Sequence, residues 1–149
     1  IKPSLKNTPL EPLINLEKVE QNKKYHPEGN VWNHLKQVVD IAAKVKEYAN
    51  DKGTFMLGAL LHDLGKGTTT KKNKQGRIIS YNHDIEGEKI VDKILTYYGY
   101  EKCEKQRILN LVNRIIHELL KTKYLSYLYH IFFFGKSNYL RYLCTHRSS

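Results

Sequence analysis

The residues best suited to chemistry are His62 and Asp63, set in Leu61-His62-Asp63-Leu64-Gly65-Lys66. A neutral imidazole binds divalent transition metals, and a neighbouring carboxylate adds negative charge and can bridge two ions. Adjacent helical residues point about 100° apart, so the two converge on one ion only where a helix ends. Gly65 supplies such an end. Further ligands must then come from neighbouring helices, and His26, His34, His83 and His117 are available. Lys66 lies just beyond the pair, where its point charge is placed to contact a phosphate. The competing reading is a helix-end pair bonded to backbone, with Lys66 a solvated loop residue.

The elements that must hold these residues read as helices. From Asn30 the apolar positions Leu35, Val38, Val39, Ala42, Val45 and Ala49 recur at helical spacing up to Gly53, which puts His34 in the first turns. Residues 54–64 are apolar on nearly every face, the pattern of a buried central helix, with His62 and Asp63 in its last turn. Residues 66–82 form a polar, basic loop with a short extended piece at 77–81. A third helix starts at His83, carries Ile90, Val91, Ile94 and Leu95 on its core face and closes at Gly99. Its acidic first turn suits the helix dipole, and Glu86 or Glu88 is placed to orient a histidine. A fourth, over residues 101–121, buries Ile108, Leu109, Val112, Ile115, Ile116, Leu119 and Leu120, with His117 at the border of that face.

Residues 1–29 are proline-bearing and lack sustained periodicity, so they read as an extended N-terminal arm with one short helical turn. His26 there is expected to pack on the first helix. Trp32 and Tyr25 suit either core packing or stacking on a base. Residues 30–149 form the single globular domain, ending in an atypical aromatic segment over 122–149. His130 falls among those aromatics as a core or surface residue. Glu118 is the last acidic residue, so the final 31 residues contain no carboxylate.

A chain of 149 residues suffices for one self-supporting core. Its net charge of +10 suits polyanionic partners, though lysine-rich surfaces also serve solubility alone. Cys103 and Cys144 are too few for a disulfide framework and form no Cys-x-x-Cys zinc site, which points to a reducing compartment. With no apolar run of about 18 residues and no signal-peptide pattern, the expected location is cytoplasmic, away from membranes. The chain opens on Ile rather than Met, as a trimmed chain or a piece of a larger protein would.

Three ordered segments carry a resemblance. Tyr25-His26-Pro27-Glu28-Gly29-Asn30-Val31-Trp32-Asn33-His34, Ala59-Leu60-Leu61-His62-Asp63-Leu64-Gly65-Lys66 and Asn82-His83-Asp84-Ile85-Glu86-Gly87 are together similar to the metal-dependent HD-domain phosphohydrolases. The closest likeness is to the HD domain of bacterial CCA-adding tRNA nucleotidyltransferases, over roughly residues 10–120. It implies an all-α HD-type bundle of about five to seven helices, with a first divalent ion on His34, His62 and Asp63. A second ion, bridged by Asp63, would sit on His83 and His117. The family pattern then ends in an Asp on a late helix that completes the first ion's ligands; here the comparable stretch offers His146 instead.

The expected activity is therefore hydrolysis of a phosphate ester, on nucleotides or 2′,3′-cyclic phosphates, with Asp63 and Lys66 as catalytic groups. The expected cofactor is one or two divalent ions drawn from Mn, Fe, Co, Ni, Mg or Zn. The alternative, favoured by the missing late Asp, is a catalytically impaired HD domain that binds tRNA or a nucleotide through its basic face.

Overall fold

The computed structural model describes the backbone of residues 2–121 and the side chains of residues 4–116. The side chain of His117, together with His130, Cys144, His146 and the aromatic segment, lies outside the described residues. Four helices of ten residues or more build the described bundle: α3 (Val31–Val45), α4 (Lys52–Leu61), α6 (His83–Tyr97) and α7 (Lys102–Lys121). Short helices α1 (Lys2–Leu5), α2 (Glu11–Asn15) and α5 (Lys66–Thr69) lie between and before them. The described residues are all-α apart from one small hairpin, as the periodicity predicts.

Helix starts follow capping chemistry. Asn30 accepts the Asn33 backbone N–H at 2.8 Å to open α3, and Asp51 accepts that of Thr54 at 2.9 Å to open α4. Such caps satisfy donors that have no partner within the helix and are worth about 1 kcal/mol each. The apolar α4 runs through the middle, packed against both α3 and α7, while α6 leans on α7. Val31, Leu35, Leu61, Leu64, Val91, Leu95, Ile108 and Val112 fill the main core almost without exposure.

The N-terminal arm departs from the extended segment expected. It contains α1, α2 and a 3-10 turn at Leu16–Lys18, and it buries Leu13 and Leu16 in the main core. Leu10, Leu13 and Leu16 form an apolar edge at three-residue spacing that is too short to register as periodicity. Pro12 stands in the first turn of α2, where a missing N–H costs nothing, so it starts a helix rather than breaking one. The arm then returns to α3 through a clipped neck. Gln21 N–H donates to Gly29 O at 2.9 Å, and Val31 N–H to Val19 O at 2.9 Å.

Two further boundaries shift. The central helix ends at Leu61, so His62 is its C-cap and Asp63 lies in the turn beyond, rather than in the last helical turn. The 66–82 segment folds into α5 and an antiparallel hairpin, with β1 (Lys71–Lys72) facing β2 (Ile78–Ile79). The expected extended piece is β2, and its partner strand is two exposed lysines that carry no apolar signal. Gly65 is required where the chain leaves Asp63. A Cβ there would lie 1.8 Å from His83 O and 2.5 Å from Gly87 N, so only glycine lets the first turn of α6 close on the exit turn.

Candidate metal centre

Among the described residues the polar residues buried as a whole are Gln21, His34, His62 and Asp63, and all four meet at one place. Burying polar groups is costly unless they are paired, so such a cluster marks a site built for something. His34 reaches it from the first turn of α3, His62 and Asp63 from the end of α4, and Gln21 from the arm.

Each histidine has one ring nitrogen fixed by an acceptor. His62 Nδ1 lies 2.8 Å from Ala59 O, and His34 Nδ1 lies 2.7 Å from Glu28 Oε1. A carbonyl or carboxylate oxygen can only accept, so both Nδ1 atoms carry the proton and both Nε2 atoms of the neutral rings present lone pairs. Both Nε2 atoms lie near one carboxylate oxygen. Asp63 Oδ2 is 3.3 Å from His62 Nε2 and 3.8 Å from His34 Nε2. His62 Nε2 is buried, with Asp63 as its near polar neighbour and no hydrogen bond of good geometry. Three acceptor atoms from His34, His62 and Asp63 thus lie within 4.8 Å of one another. The Lys66 ammonium already stands 2.9 Å from the Asp63 oxygen, and the nitrogen, nitrogen, oxygen set also suits a divalent transition metal.

The protonation states fit that use. Burial is the largest influence on His34 and, joined by the charges of His62 and Lys66, brings it down to about 4 against Asp63 and Glu28, which raise it. It is therefore neutral near pH 7, as a ligand must be. Burial pushes Asp63 up, but His62, Lys66 and His34 outweigh it and hold the carboxyl well below the usual range. Glu28 is likewise lowered against burial, by its own backbone N–H and by hydrogen bonds from His26 and His34.

Lys66 Nζ lies 2.9 Å from Asp63 Oδ2 and 3.0 Å from Gln21 Oε1, so the ammonium sits on the site's carboxylate rather than in solvent. His83 is not brought in. Its Nδ1 lies 2.8 Å from Ser80 O, and no group of three convergent donors among the described residues includes it. His26 packs on α3 as expected, edge-on against the His34 ring at 5.0 Å. Among the described residues Glu86 and Glu88 orient no histidine: Glu86 pairs with Lys89 at 2.7 Å and Glu88 accepts from Asn113 Nδ2 at 3.3 Å, both exposed. Glu28 does so instead. Sequence reasoning missed Glu28 and Gln21, because nothing in their spacing announces the clipped neck that folds both onto the centre. The one available signal is that Glu28 stands between His26 and the Asn30 cap.

The HD domain family matches residues 31–130, well over half of the chain. The chain belongs to the HD domain family, which lies within a superfamily of metal-dependent phosphohydrolases whose members bind divalent metals. It is also 32% identical over 92 residues to the multifunctional CCA protein of Cupriavidus metallidurans. That match takes in 62% of this chain but 19% of the relative, so the chain spans about a fifth of that protein's length. No solved structure matches it significantly. Among the described residues no helix is long and apolar enough to cross a membrane.

Proposed function

We propose that this chain is a metal-dependent phosphohydrolase, a phosphomonoesterase or phosphodiesterase acting on nucleotides or 2′,3′-cyclic phosphates. The observation that carries this is the convergence of His34 Nε2, His62 Nε2 and Asp63 Oδ2 in a buried place, on a chain of the HD family. A divalent ion held there supplies a water acidified toward neutrality and positive charge for the phosphoryl oxygens. His34 and His62 hold it through nitrogens fixed from behind by Glu28 and Ala59, and Asp63 contributes the negative charge. Lys66 stands one turn beyond, beside Asp63, where its ammonium would contact a phosphoryl oxygen. By analogy with the binuclear family members, His83 and His117 would hold a second ion, with Asp63 shared between the two. Within His83, the bond to Ser80 leaves Nε2 as the ligand atom.

The test is turnover of a panel of mononucleotides and 2′,3′-cyclic nucleotides by chelator-stripped protein, before and after adding Mn, Fe, Co, Ni, Mg or Zn. Added metal should restore activity. Asp63→Ala should lower it by about a thousandfold, the several kcal/mol that metal-ion catalysis supplies. Full activity after chelation contradicts the proposal.

A second reading, a module that binds tRNA or a nucleotide without turnover, is favoured by Lys66. Its ammonium already serves as counter-ion to Asp63, and the hairpin behind it exposes Lys71, Lys72 and Arg77. Metal binding with no turnover on any substrate would select that reading.

A further inference from the structure

The family match begins at Val31, yet a side chain from the preceding loop makes the shortest hydrogen bond to the centre's ligands. Glu28 Oε1 receives His34 Nδ1 at 2.7 Å and His26 Nδ1 at 3.1 Å. The side chains of Glu28 and His34 are each only 5% exposed. The loop that carries Glu28 is held shut behind it by Gln21 N–H to Gly29 O, and ahead of it by the Asn30 cap of α3.

We propose that Glu28 is a positioning residue for the metal centre, holding His34 as the Nδ1–H tautomer so that the Nε2 lone pair faces Asp63. An unrestrained neutral imidazole populates both tautomers, and the Nε2–H form has no lone pair where the centre needs one. A carboxylate behind a ligating histidine fixes the tautomer and raises the basicity of the ligating nitrogen. The consequence for metal rests on the proposed function; the tautomer does not.

The same atoms also form a second candidate donor group, His26, Glu28 and His34. Two facts exclude it as an ion site. His34 would have to ligate through both ring nitrogens, which removes its last N–H proton. The 2.7 Å between His34 Nδ1 and Glu28 Oε1 is also too short. Two ligand atoms each about 2.0–2.1 Å from one tetrahedral ion stand more than about 3 Å apart. The distance is that of a charge-assisted hydrogen bond.

The test is long-range nitrogen–proton NMR of the imidazoles in the metal-free 149-residue chain, for wild type, Glu28→Gln and Glu28→Ala. Wild type should show His34 as Nδ1–H, Glu28→Gln should keep it because the amide oxygen still accepts, and Glu28→Ala should lose it. Co2+ titration should then show affinity weakened by about 10–100-fold in Glu28→Ala, with Glu28→Gln close to wild type. An Nε2–H tautomer in wild type overturns the proposal even if Glu28→Ala does not fold. So does an unchanged tautomer in a folded Glu28→Ala. If wild type takes up no Co2+, the proposed metal centre fails while the tautomers still decide the role of Glu28.

Discussion

His62 and His83 use the same local device: in each, Nδ1–H donates to the carbonyl three residues earlier, Ala59 or Ser80, at 2.8 Å. Both rings therefore present Nε2 in a fixed tautomer. Their surroundings differ: His62 is wholly buried, with Asp63 Oδ2 at 3.3 Å and the His34 ring 5.8 Å away, whereas His83 is half-buried at the start of α6 and joins no convergent group of three donors among the described residues. Orientation by a backbone carbonyl is common to both; burial beside Asp63 and His34 in a convergent donor group is what sets His62 apart.

The largest effect should separate these two histidines directly. His62→Ala should weaken Co2+ binding beyond the roughly 10–100-fold that loss of an outer-shell partner costs, while His83→Ala should leave the first ion's affinity within about threefold. Calorimetric titration measures both, and equal losses would erase the distinction.

The two flanks are nonetheless joined through Gly65, whose backbone touches that of His83 and Gly87. Gly65→Ala forces the exit turn and α6 apart and should cost about 1–3 kcal/mol, the range for overpacking a tight contact. A urea midpoint unchanged from wild type would mean the contact is slack.

The smallest effect lies at the far end of α4, away from either histidine. Asp51→Ala removes the cap on Thr54 and should cost about 1 kcal/mol without altering Co2+ affinity. Hydrogen bonds from the Thr54 hydroxyl and backbone N–H hold the Asp51 carboxyl below its ordinary 3.8. A depressed folded value means the cap's contribution is complete above the unfolded pKa and fades as pH falls through the folded one. Wild type and Asp51→Ala should therefore differ near neutrality and converge in acid; a constant gap down to about pH 2 would contradict this.

How far the sequence foretold this depends on the kind of contact. Helices α3, α4, α6 and α7 follow from apolar spacing, since each buries one face or, for α4, nearly all of them. The convergence of His34 with His62 and Asp63 matches the ligand set implied by the family resemblance. Glu28 and Gln21 were not legible, because their roles arise from two backbone hydrogen bonds that clip a loop shut, and no periodicity encodes those. The core role of Leu13 and Leu16 was hidden for a related reason: a five-residue helix with a proline in its first turn leaves too short a pattern.

The claim on which all of this depends is that His34, His62 and Asp63 hold a divalent ion. Titrating Co2+ into chelator-stripped wild type and Asp63→Ala, with equal helical circular dichroism as the control for folding, tests it most directly. Wild type should bind with high affinity and Asp63→Ala should lose that binding. Indistinguishable isotherms from the two folded proteins would contradict the account.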